Sequence, residues 1–67
     1  MIKTDLQLKK DVEDELQWDP KVNAARVGVS VQNGAVSLTG EVDTYPEKWA
    51  AEEAAKRVEG VRALAGI

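Results

Sequence analysis

Few side chains in this 67-residue chain are of a kind that does covalent chemistry, and their setting argues against it. The sequence holds no histidine and no cysteine. Ser30 and Ser37 are therefore hydroxyls with no imidazole anywhere to act as base, which leaves nucleophilic catalysis without its usual partner. The commonest transition-metal ligands are missing for the same reason. The acidic run Asp11, Glu13, Asp14, Glu15 offers oxygen ligands, but it lacks the glycine-containing loop in which dedicated calcium sites space their carboxylates. It reads as a solvated helix face. No metal and no cofactor is expected. What remains is a set of aromatic and basic residues: Trp18, Lys21, Tyr45, Trp49 and Lys56. Rings with an apolar body and a polar tip suit membrane interfaces and binding surfaces, where one end is dry and the other wet. If exposed, these five residues form a docking site for lipid or for a partner. The competing expectation is that Trp49 tucks against the neighbouring helix or loop, because the chain has no Phe and small domains seldom leave a Trp outside the core.

The elements that must position these residues are legible, and the clearest is a hairpin. Two alternating apolar runs flank Asn33-Gly34, a two-residue loop suited to a type I′ turn, which needs positive φ at both positions. Counting outward from it, Gln32 faces Ala35, Val31 faces Val36, Ser30 faces Ser37, Val29 faces Leu38, Gly28 faces Thr39, Val27 faces Gly40 and Arg26 faces Glu41. Val27, Val29, Val31, Val36, Leu38 and Val42 then share one face, with Ser, Thr and Gln on the other. A slip of one residue would mix the faces.

Helices flank the hairpin. Thr4-Asp5-Leu6-Gln7 reads as a capping box opening a helix from about Asp5 to Gln17, with Leu8, Val12 and Leu16 as its inward stripe. Trp18-Asp19-Pro20 ends it, since the residue before proline is pushed out of the α region, and Lys21 to Ala25 is a linker. Thr44-Tyr45-Pro46-Glu47 opens a second helix expected to reach Val58 or Glu59, with Gly60 in the left-handed position beyond its end. Ala50, Ala51, Ala54, Ala55 and Val58 form its small-residue face, and Tyr45, Trp49, Glu52 and Lys56 the nearly opposite stripe. Val61 to Ile67 is a last short strand, weakened by Gly66.

The chain is a single small domain, near the lower limit of what one core stabilises. A net charge of −3 gives no general attraction for phosphate backbones or anionic lipid, so any such binding needs a local patch. Nucleic-acid binding by a KH-like module would need a GXXG loop between helices, and each of the five glycines stands isolated. No apolar run approaches the roughly 20 residues that span a bilayer. The start, Met1-Ile2-Lys3-Thr4, has no apolar signal region, so the chain as written is expected in the cytoplasm.

The order helix, strand, strand, helix, strand, together with particular residues, resembles the BON domain family (bacterial OsmY and nodulation domain). The resemblance covers nearly the whole chain. Asp5, Leu8, Val12 and Leu16 match the family's first helix, Asp19-Pro20 its exit, and the run Val29-x-Val31-x-Asn33-Gly34-x-Val36-x-Leu38-x-Gly40-x-Val42 its central hairpin. Ala50, Ala54 and the Val58-x-Gly60-Val61 corner match the second helix and its exit. The family pattern usually carries Asn where Gly66 stands, and the match implies a third strand cut short at Ile67. The implied fold is α+β of the αββαβ type, two helices on one face of a three-stranded mixed sheet. The implied role is non-enzymatic: a module for phospholipid head groups or envelope proteins in osmotic and envelope stress, often periplasmic or membrane-associated, often in tandem copies. An assembly module that recognises protein through the edge of the third strand, or a second copy of itself, is the alternative.

Overall fold

A computed structural model describes residues 4–66. Helix α1 runs over Asp5–Trp18, one residue past the expected end. The Thr4 hydroxyl accepts from the Gln7 amide at 3.2 Å, and Leu8, Val12 and Leu16 are buried along the inward stripe. Asp19 is extended, as a residue before proline must be. Its carboxylate accepts from the Lys21 amide at 2.9 Å, and its carbonyl accepts from the Val22 amide at 3.1 Å. That compact turn drives Val22 into the core, and a short 3₁₀ helix follows over Ala24–Arg26. The linker is thus more ordered than its composition suggests.

Strands β1 (Val27–Gln32) and β2 (Ala35–Gly40) pair antiparallel in the expected register at all six positions from Gln32↔Ala35 to Val27↔Gly40. Asn33 and Gly34 have φ of 53° and 81°, the left-handed conformations of a type I′ turn. Val27, Val29, Val36 and Leu38 are buried, with Val31 and Val42 half-buried at the margin of the core. Arg26 and Glu41 meet just beyond the strands, the guanidinium 3.3 Å from the Glu41 carboxylate, while Asp43 lies closer at 2.8 Å. Gly40 has φ 110°, and a Cβ there would collide with the Arg26 carbonyl, so the turn out of β2 requires glycine.

Helix α2 occupies Tyr45–Lys56, capped by the Thr44 hydroxyl on the Glu47 amide at 3.3 Å. It stops short of the expected Val58. The Arg57 amide is shared between the Glu53 and Ala54 carbonyls, and the Val58 amide turns to Ala55, three residues back, so the last turn tightens before Gly60 takes φ 99°. Ala50, Ala51, Ala54 and Ala55 are all fully or nearly buried, letting α2 lie close to its neighbours. Strand β3 is only Ala63–Ala65 and pairs parallel to β2, with Val36 opposite Leu64. The sheet order is β1-β2-β3, with both helices on the face of the valines. Ile67, expected in the last strand, lies outside the described residues.

One long-range contact has no counterpart in the sequence reading. The Asp5 carboxylate, in the first turn of α1, accepts from the Asn33 amide at 2.9 Å and from the Gly34 amide at 3.1 Å. The Gly34 carbonyl in turn accepts from the Arg62 amide at 2.8 Å. The hairpin turn is therefore clamped between the start of α1 and the start of β3.

Candidate binding surface

An α-helix advances about 100° per residue, which places Trp49 roughly 170° from the centre of the alanine face. Trp49 is 53 % exposed, Tyr45 74 % and Trp18 83 %. The expectation that Trp49 tucks against a neighbour is thus overturned. The core closes on Leu8, Leu16, Val36 and Leu38 against alanines, and the wheel position of Trp49 points away from it. Every aromatic ring in the chain, two Trp and one Tyr with no Phe, lies on the surface.

The charges around these rings are largely paired. Lys48 Nζ stands 5.9 Å from the Tyr45 ring centroid, at the outer limit of a cation–π contact, and 3.7 Å from Glu52. Lys56 Nζ lies 3.3 Å from Glu53 on the same helix. Arg57 reaches across to Asp19 at 3.8 Å, joining the ends of α2 and α1. Lys21 is exposed and makes no ion pair among the described residues. At the other end of α2, Asp43 raises the pKa of Arg26 by hydrogen bonding and by its charge, with Glu41 adding a smaller contribution.

The five expected site residues fall into two groups. Tyr45, Trp49 and Lys56 share the outward stripe of α2. Trp18 and Lys21 share a shallow depression with Glu15, Asp19, Pro20 and Arg57 at the end of α1. No described contact joins the two groups directly; Arg57, next in chain to Lys56, is the link. Arg57 is not among the five expected residues, and its tie to Asp19 emerges only from the fold.

Glu47 is the other residue whose role was not read. A capping box would return its carboxylate, at the third helical position, to the cap residue. It accepts instead from the Asp43 amide at 3.3 Å and from the Asn23 amide at 3.1 Å, tying the linker to the start of α2. The acidic residues of α1 radiate around the helix, and no group of three or more metal-ligating side chains converges among the described residues. Nor is any described helix long and apolar enough to cross a membrane. A comparison with curated proteins returns no match. The pattern that defines the BON domain matches residues 4–65, from the α1 cap to the end of β3. With that match over nearly its full length and two helices laid on a β1-β2-β3 mixed sheet, the chain belongs to the BON domain family, a family of small binding-type domains.

Proposed function

We propose that this domain is a non-catalytic module that docks on phospholipid surfaces through Tyr45, Trp49 and Lys56, with Trp18 and Lys21 as a second contact, in the setting of envelope or osmotic stress. The observation that carries this reading is the placement of every aromatic ring outside the core. A 67-residue domain has little apolar area to spare, and spending its three largest side chains on the surface favours a partner that covers them. Indole and phenol rings gain most at a boundary between water and hydrocarbon.

The charge pattern sets the character of the interaction. Lys48 and Lys56 are offset by Glu52 and Glu53, so the face of α2 is near neutral and the rings supply most of the affinity. Each unpaired cation near an anionic surface adds about 1 kcal/mol, screened by salt. One copy therefore binds weakly, and tandem copies or oligomers raise the effective concentration to a useful level. Titrating vesicles of anionic and of zwitterionic lipid while following Trp fluorescence tests this. The expected result is a blue shift and co-sedimentation. Neither occurring at low salt removes the lipid reading.

A second reading is favoured by the sheet itself. The outer edge of β3 is unpaired among the described residues, and β1 presents a six-residue edge free of Lys and Pro. Either edge suits a strand from an envelope protein or from a second copy. Light scattering across a dilution series separates this from the lipid reading, because a chain that stays monomeric, with edge amides unprotected by any partner, leaves no assembly role.

A further inference from the structure

Asn33-Gly34 is the only Asn-Gly pair in the chain, and the pair has a reactivity that its role as a turn does not use. Glycine offers no Cβ to hinder its own nitrogen. Once deprotonated, that nitrogen can attack Cγ of the preceding asparagine, expelling ammonia and closing a five-membered succinimide. Water then opens one of the two ring C–N bonds. The product is aspartate, or isoaspartate in which the chain continues through the former side-chain carbonyl. Water is the only co-reactant.

The structure holds the first step back at three points. The Gly34 N–H, whose proton must leave, donates to Asp5 Oδ1 at 3.1 Å, against a carboxylate that opposes the anion. Gly34 is buried, and its carbonyl accepts from the Arg62 amide at 2.8 Å. Asn33 sits at φ 53° with its own N–H on Asp5 Oδ2 at 2.9 Å. Bringing the Gly34 nitrogen onto Cγ requires rotation about the Cα–C bond of Asn33. That rotation breaks the grip of Asp5 and pulls the Gly34 carbonyl from Arg62.

We propose that Asn33 is a modification site whose deamidation is gated by the first turn of α1: while Asp5 holds both turn amides the side-chain amide survives, and opening of that turn lets the succinimide close. The gate is one-way. A carboxylate at position 33 would stand beside Asp5 and repel it, and isoaspartate would insert an extra carbon into a turn whose length sets the register of β1 and β2. The inference is independent of the lipid reading, since it rests on the opposite end of α1 from Trp18.

The test is to incubate the intact domain at neutral pH and follow the tryptic peptide Val27–Lys48 for replacement of NH₂ by OH, with isoaspartate resolved by chromatography against an Asn33→Asp standard. The folded chain is expected to react at least about tenfold more slowly than the same chain in urea, as protection by local structure requires. Asp5→Ser, shown to be folded by circular dichroism, should move most of the way to the urea rate. Thr4→Ala weakens the α1 cap without touching the turn and should accelerate the reaction several-fold. Equal rates in folded and urea-treated wild type overturn the proposal, whether or not Asp5→Ser folds. So does a folded Asp5→Ser that keeps the wild-type rate, a Thr4→Ala that does the same, or a product free of isoaspartate.

Discussion

The two helices of this domain divide large and small side chains in opposite ways. Helix α1 turns Leu8, Val12 and Leu16 inward and covers its exterior mostly with charge. Helix α2 turns four alanines inward and carries Tyr45 and Trp49 outside. Apart from Leu6 and Trp18 near its two ends, which are exposed, the first is an ordinary amphipathic helix in which size and hydrophobicity go to the core together. The second separates them: small residues bring the backbone close, and the rings that could have enlarged the core are left for something else. The docking surface proposed above rests on the helix that departs from the usual allocation.

The contrast can be broken by exchanging the roles. The largest effect is expected on the inward face of α1, where Leu16→Ala should cost about 2–5 kcal/mol, since the side chain is fully buried and its removal leaves a cavity. Denaturant unfolding would show it as a lowered midpoint with an unchanged slope. Next comes the inward face of α2. Ala54→Leu overfills a site with no exposed surface and should cost about 1–3 kcal/mol by the same measurement.

The outward face sharpens the comparison. Joint replacement of Tyr45 and Trp49 by serine should weaken vesicle binding at least about tenfold, or 1.4 kcal/mol, while stability moves by no more than about 0.5 kcal/mol. Loss of stability without loss of binding would return these rings to a structural role. The smallest effect is expected from Lys56→Ala. It removes one exposed partner of a helical ion pair, worth about 0.3–0.5 kcal/mol, and should leave the affinity for zwitterionic vesicles unchanged.

How much of this was legible depends on whether the deciding interaction is local. The hairpin register could be read because the Asn33-Gly34 turn and the alternation on each side specify it redundantly. The caps at Thr4 and Thr44 were legible for the same reason, a side chain acting three residues away. The fates of Val22, Asp5 and Glu47 were not. Asp5 and Glu47 are settled by partners distant in sequence, Gly34 at 29 residues and Asn23 at 24, and Val22 by a turn at Asp19 that the linker's composition does not mark. The end of α2 was misjudged because Val58 continues the apolar periodicity although the backbone has already tightened. With Trp49 the error was of another sort: its wheel position was read correctly, and a general habit of tryptophan was then allowed to outweigh it.

The position of β2 in the middle of the sheet has a kinetic consequence. Its pairing with β1 closes over two residues, a loop that forms rapidly, whereas its other edge waits for residues 63–65 to return past an entire helix. During synthesis that edge stays bare until residues 63–65 have emerged. The docking of three residues, Ala63 to Ala65, is then the late event that seals one open strand edge of the nascent domain.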